Sequence, residues 1–519
     1  MKASEPREYH GVKWHEPIIF ELSCPGERGI ILPEVEQEIA DVVGDIDQLL
    51  PRRLKRRQSP SLPEVSEPRV LKHYLRLSQE TMGNDTNNSI GLGTCTMKYN
   101  PKIHEQLVRN PKLAELHPYQ DERTIQGILK IIHELNRFLT GISGMDHYSF
   151  QPSGGTQAIY ANASVIRAYH EHQGEGETRD EVITTIFSHP GNAGAPSTAG
   201  YKVLTLMPDE KGFPDLEMLK SMVSERTAAL FITNPEDTGI FSPNIKDYVD
   251  EVHRVGGLCV YDQANANGLL GITRAREAGF DLSHFNLHKT FASPHGSMGP
   301  GCGAQGVVEK LKPFLPGPLV DFDGEKYFHN GNKPLSIGKV RKFYGNVPVI
   351  LRSYAYIMTM GEEGLRDVSE ISILNNNYML KGMREIPGCT VPYSEGDHKL
   401  EQVRYSWEDL FKETGVGTEA INRRTVDYGM QNYFESHHPW IVPEPFTPEP
   451  AETYSKEDID EYVAVLRTIA EEARINPDLV NNAPHRVAIA KITDTSPMTD
   501  VDKFAVTWRA FKRKQAVPQ

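Results

Sequence analysis

Short, uninterrupted apolar runs alternating with helical patterns constrain this chain most. Ala228-Ala229-Leu230-Phe231-Ile232 and Leu258-Cys259-Val260-Tyr261 have the length and character of strands buried on both faces. Between them Ile245 to Val255 reads as a helix, so the three segments make a crossover unit of a largely parallel sheet. Upstream, Thr124 to Thr140 carries Ile125, Ile128, Leu129, Ile131, Ile132, Leu135 and Phe138 as an amphipathic stripe. The reading is an α/β domain over residues 121–345. Residues 1–120 have few long periodic segments and are expected to form an extended arm and linker, with Pro51 to Pro60 a solvated connection. Residues 346–519, with helical patterns at Ser369 to Arg384 and Lys456 to Arg474, predict a smaller α+β C-terminal domain.

Composition removes several classes of function. The chain has 519 residues, with 56 Lys and Arg against 70 Asp and Glu, a net charge of −14 that repels a phosphate backbone and disfavours nucleic acid as a partner. Its five cysteines show neither CxxC nor Cys/His ligand spacing, which excludes a disulfide framework, predicts no metal site and fits a reducing cytoplasm. No apolar run approaches the roughly 18 residues of a membrane span, and the start lacks a secretory core. A soluble, cytoplasmic protein with no membrane partner is expected.

The chemistry is written in four places. Gln151-Pro152-Ser153-Gly154-Gly155-Thr156-Gln157 precedes a helical stretch from Ala158 to His170, and glycines, hydroxyls and a helix N-terminus together outline a phosphate cup. His189 follows, within Phe187-Ser188-His189-Pro190-Gly191-Asn192. Asp262 ends the run Gly257 to Tyr261, at the carboxyl end of a strand where open α/β sheets bind ligands. Lys289 follows in Phe285-Asn286-Leu287-His288-Lys289-Thr290-Phe291. Each residue alone has a bland reading, as a turn, a packed histidine, a helix cap or a solvated charge. In this order they match what pyridoxal phosphate requires: anion donors, a flat group over the ring, a carboxylate at the ring nitrogen and an amine that becomes nucleophilic when buried.

The chain also resembles a known family over nearly its whole length. The marks are Phe20-Glu21-Leu22-Ser23 with Pro25-Gly26, Leu62 to Pro68, Gly93-Thr94-Cys95-Thr96-Met97-Lys98-Tyr99-Asn100-Pro101, and Ile166 to His170. Most specific is Asn286-Leu287-His288-Lys289-Thr290-Phe291 running into Pro294-His295-Gly296 and Gly299-Pro300-Gly301, followed by Trp440 to Glu444 and Asn482 to His485. These resemble the pyridoxal-phosphate-dependent P-protein of the glycine cleavage system, the decarboxylating glycine dehydrogenase, in the second subunit of its two-subunit form. The resemblance implies the aminotransferase-like fold type I, with a mainly parallel-sheet large domain and a small C-terminal domain. It assigns the Schiff-base lysine to Lys289, the ring-nitrogen partner to Asp262 and the stacking aromatic to His189. The cofactor-binding set is completed by the cup residues Ser153, Gly154, Gly155 and Thr156, by Asn265, and by Thr94 and Thr96 in a Thr94-Cys95-Thr96 loop expected to approach the cofactor. His288 and His295 are read either as proton carriers or as structural hydrogen-bonding residues. Implied partners are glycine, a homologous first subunit and a lipoylated carrier protein, in a hetero- or homo-oligomer.

The chain departs from the family pattern in Ser153-Gly154-Gly155-Thr156, His189-Pro190-Gly191-Asn192-Ala193, Gln263 after Asp262, and Ser297-Met298 inside a glycine run. The family's Cys-Met-His-Glu-Phe segment is not evident around Lys399 to Tyr405. Several of these add bulk near the expected substrate side. Two alternatives therefore stand beside glycine decarboxylation: a divergent paralogue acting on another amino acid, and a non-catalytic partner subunit.

Overall fold

The computed structural model describes residues 6–515 apart from 59, 84, 89, 93–94, 295–300, 332, 394–395, 397, 432–434 and 438–440. Two compact units emerge, one built chiefly from residues 84–481 and the other from residues 8–83 and 482–519.

The larger unit is organised by seven strands: β1 (His147–Ser149), β2 (Glu181–Thr185), β3 (Lys202–Leu206), β4 (Thr227–Ile232), β5 (Leu258–Gln263), β6 (Leu282–Asn286) and β7 (Gly303–Val307). Their order is β1-β7-β6-β5-β4-β2-β3. Neighbours from β6 through β3 pair in parallel, and β7 runs antiparallel between β6 and β1. Every residue of β2, β4, β5, β6 and β7 is buried, as expected of sheet covered by helices on both faces. Edge strand β3 keeps Lys202 and Thr205 exposed, and an edge lysine discourages pairing with another chain.

Helices on the sheet are α1 (Gln126–Ser143), α2 (Gly155–His172), α3 (Gly191–Thr198), α4 (Leu216–Met222) and α5 (Ile245–Arg254). Helix α1 begins two residues later than its apolar stripe suggests, because Asp121 caps a short 3₁₀ turn at Glu122–Thr124 by accepting the Arg123 N–H at 3.0 Å. It runs on to Ser143 and stops at Gly144 (φ 75°), which donates to Thr140 O. Its face Ile128, Leu129, Ile132, Leu135 and Leu139 is buried against the sheet core. Helix α2 starts at Gly155, three residues before the start read from the sequence, so its first turn is part of the glycine cup.

The helical pattern at Ser369 to Arg384 is the end of a longer element, α6 (Val347–Met383), whose helical backbone is interrupted at Gly361 (φ 64°). Then come α7 (Glu408–Thr414), α8 (Thr418–Val426) and α9 (Lys456–Ile475), the last opened by a reciprocal Ser455/Asp458 capping box. A second hydrophobic core gathers Met379, Met383, Tyr405, Trp407, Phe446, Tyr462 and Leu466, separate from the sheet core. The segment before α1 is tied into this unit: Gly91–Leu92 pairs antiparallel with Pro448–Glu449. A Cβ on Gly91 would lie 1.9 Å from Cys95 O, so the chain folds back there only with glycine. Buried Lys98 then meets Glu452 at 2.7 Å, and Tyr356 donates to the same carboxylate at 2.9 Å.

In the smaller unit the sequence reading missed a 13-residue helix, Glu67–Gln79. Its buried His73 lies 3.0 Å from Glu16. Residues 51–58 are exposed as expected, apart from half-buried Lys55, and include a 3₁₀ turn at Arg52–Leu54. Among the described residues no helix is long and apolar enough to cross a membrane, and no cluster of three metal-ligating side chains occurs.

Candidate functional site

A cavity of about 1200 Å³ opens at the carboxyl ends of β5 and β6, where strand ends and helix starts converge. Ser153, Gly154, Gly155 and Thr156 line it from the turn between β1 and α2; His189 and Gly191 from the start of α3; Asp262, His284, His288 and Lys289 from β5, β6 and the turn after β6. Asn265 lines a small adjoining cavity with His189, Asp262, Lys289, Asp237 and Glu401. The sequence-selected residues therefore meet, with exceptions. Thr96 lines neither cavity and instead donates to Glu449 at 2.8 Å. Thr94 and His295 lie outside the described residues, as do Ser297 and Met298.

The cup is shaped by close approach. A Cβ on Gly155 would lie 2.8 Å from Asn286 Nδ2, one on Gly301 2.7 Å from His288 Nδ1, and one on Gly303 2.7 Å from Gly154 O. The first-turn amides of α2 have no intrahelical acceptor by geometry, and its N-cap Gly154 offers no side-chain cap. These donors face the cavity at the positive end of an 18-residue helix.

Asp262 is buried and closely held. Its Oδ2 accepts from Asn192 Nδ2 at 2.7 Å, its Oδ1 accepts the Ala264 N–H at 3.0 Å, and His284 Nε2 lies 3.0 Å from Oδ1. Burial pushes the carboxyl up, but the His284 ring, the Ala264 N–H and the His189 ring together hold it below the usual range. His189 is pushed down to about 4 by burial, by the Lys289 ammonium and by the His437 ring, so at neutral pH it presents an uncharged face. The His437 ring meets it edge-on, with centroids 4.9 Å apart. Lys289 is buried, 7% exposed. His288 Nδ1 accepts the Cys302 N–H at 3.3 Å, which places a neutral ring's proton on Nε2.

Sequence reasoning overlooked Glu449, Asn192 and His284, while Cys95 belongs to the Thr94-Cys95-Thr96 loop expected to approach the cofactor. Glu449, raised to about 7 by burial against the opposing effects of Thr96, Lys289 and Asn265, stands among the site's charges. Cys95 lines the main cavity and its thiol is pushed up by burial. Asn192 and His284 hold Asp262. Neither His284, in the middle of β6, nor Glu449, within Pro445 to Pro450, carries a local sequence signal. Gln263 ends β5 on the face opposite Asp262 and lines neither cavity, so its bulk does not narrow the site.

The cavity fits pyridoxal phosphate by its chemistry: unpaired helix amides with hydroxyls for an anion, an uncharged ring, a buried carboxylate kept ionised and a buried amine. Residues 152–403 match the aminotransferase class-V family model, and residues 368–487 match that of the glycine dehydrogenase C-terminal domain. A solved structure of glycine decarboxylase, the P-protein of the glycine cleavage system, superposes with a TM-score of 0.70 at 18% identity, covering 85% of this chain and 100% of that one. The cysteine desulfurase CsdA of Escherichia coli gives 0.56 at 14% identity over 75% and 96% of the two chains. Fold and site thus define the class, the aminotransferase-like enzymes that work with pyridoxal phosphate. A Pyrococcus abyssi protein named probable glycine dehydrogenase (decarboxylating) subunit 2 is 44% identical over 97% of this chain and 98% of its own. A Halalkalibacterium halodurans protein of the same name is 42% identical over 93% and 96%. The chain belongs to the glycine dehydrogenase (decarboxylating) subunit 2 family.

Proposed function

We propose that this chain is the cofactor-bearing subunit of a glycine decarboxylase, which removes the carboxylate of glycine as carbon dioxide and passes the aminomethyl group to the lipoyl arm of a carrier protein. A homologous first subunit is the partner this reading requires. The observation that carries it is the convergence of Lys289, Asp262, His189 and the α2 cup on one cavity, in a chain of this family.

Bound pyridoxal phosphate supplies an acceptor for the electron pair left when the Cα–carboxylate bond breaks. Lys289 would anchor it through Nζ, Asp262 would place a negative charge at the ring nitrogen, and His189 would lie flat against the ring. Ser153, Thr156 and the first-turn amides of α2 would hold its phosphate. The uncharged state of His189 matters here, because an imidazolium would compete with the ring nitrogen for Asp262. Glu449 can hold or release a proton at its carboxyl near neutral pH, which suits a site that must return a proton to an amine. His288 Nε2 is the second place where a proton can be held.

The paralogue reading rests on the altered small-domain segment: Glu401 and Gln402 reach the small cavity, and Arg404 pairs with Asp237 at 2.6 Å on its wall. The two readings separate on titration of the purified protein with glycine and with bulkier amino acids, reading the visible band of bound pyridoxal phosphate and lipoyl-protein-dependent release of carbon dioxide. Glycine alone is expected to change the band and release carbon dioxide. A response to a bulkier amino acid only would support the paralogue.

A further inference from the structure

Asp262 begins a polar row across the sheet. In register, Asp262 on β5 faces His284 on β6, and His284 faces Gln305 on β7. Residues paired in this way project to one face of the sheet with Cβ atoms about 5 Å apart. His284 and Gln305 are completely buried. Both ring nitrogens of His284 and both polar atoms of the Gln305 amide lack a hydrogen-bond partner of good geometry among the described residues, His284 Nε2 meeting Asp262 Oδ1 only as an ion-pair contact at 3.0 Å. An unsatisfied buried polar group costs about 1–3 kcal/mol, and an apolar side chain would fill the same space without it. Packing alone gives no reason for an imidazole at this position.

Its neighbour gives one. The hydrogen bonds that Asp262 accepts come from neutral groups, the Asn192 amide and the Ala264 N–H. The titratable and charged groups around it are His189 at the start of α3, Lys289 after β6, Asp237 and Glu401 across the small cavity, and His284 in ion-pair contact at 3.0 Å. We infer that His284 is a positioning residue acting through Asp262: its imidazole keeps that carboxylate ionised and turned into the cavity, where the cofactor's ring nitrogen would meet it. The inference rests on the pyridoxal-phosphate reading of the site.

The test compares parent, His284→Phe, His284→Gln, Asp262→Asn and the His284→Phe/Asp262→Asn double variant, each first shown to be folded by circular dichroism and thermal unfolding. On protein stripped of cofactor, infrared difference spectra at neutral pH are expected to show a protonated carboxyl in His284→Phe that is absent in the parent and disappears in the double variant. The dissociation constant for pyridoxal phosphate, measured by equilibrium dialysis and expressed relative to the parent at each pH, is expected to rise about tenfold in His284→Phe at pH 6, the equivalent of one unit of lost proton coupling. It should recover towards pH 9 as Asp262 ionises. His284→Gln, which retains a donor, should restore part of the loss and serves in its place if the phenylalanine variant does not fold. In the Asp262→Asn background, His284→Phe should add nothing. Additive losses, a ratio independent of pH, or no new protonated carboxyl would overturn the inference while leaving the cofactor reading intact. A parent without a Lys289-dependent band would overturn both.

Discussion

Glu449 shows how much a single side chain depends on its surroundings. Burial raises its carboxyl to about 7, while the Thr96 hydroxyl and the Lys289 ammonium pull the other way, so its charge changes within the working range of an enzyme. Below about 7 it carries a proton and above that it is an anion beside the lysine. Glu449→Gln fixes the neutral form, and the pH profile of glycine-dependent carbon dioxide release is expected to lose an inflection near 7. An unchanged profile would place the titration elsewhere. Asp262 was legible as a strand end, and His189 and Lys289 by their place in the ordered set of cup, aromatic, aspartate and lysine. Glu449 was not, since it reaches the site through the pairing of Pro448–Glu449 with Gly91–Leu92, and such a register is set by long-range packing that no local pattern carries. His284 was hidden for the same reason: what sets it apart is Asp262 across from it on β5.

At the scale of elements, the cup depends on β7 lying tight against the turn into α2. A Cβ on Gly303 would meet Gly154 O at 2.7 Å, a backbone atom that moves only if the turn does. Gly303→Ala is therefore expected to cost about 1–3 kcal/mol of stability in chemical denaturation. It should also weaken pyridoxal phosphate binding at least as much as stability, because the displaced atoms belong to the cup. A stable variant with parental affinity would contradict this. The succession β4, α5, β5 was readable from apolar periodicity. The start of α2 at Gly155 was not, because glycine is a poor helix former and its place in the first turn is set by the crowding of Asn286 against it.

For the whole molecule, several buried carboxyls couple folding to pH. Burial raises Glu401 to about 8, with the nearby Glu449 adding to it, against an ordinary value of 4.5. Between those values the folded chain keeps a proton that the unfolded chain releases, so this group makes stability fall as pH rises from about 4.5 to about 8 and then level off. Glu401→Gln removes that loss. Unfolding free energies should match the parent near pH 4.5 and exceed it by on the order of 5 kcal/mol at pH 9. Equal stability at pH 9 would show that this carboxyl does not resist ionisation in the fold. Its place in the small cavity with Lys289 makes the variant a test of stability, not of activity.

The central claim is that the cavity built by β5, β6 and the turn into α2 binds pyridoxal phosphate through Lys289 and uses it on glycine. The most direct measurement is the visible absorption spectrum of the purified chain, alone and with its homologous first subunit, during titration with glycine, with Lys289→Ala as control. A band that depends on Lys289 and changes with glycine is the result the account requires. A folded protein with no such band in either condition, or a band indifferent to glycine in the complete assembly, would contradict it.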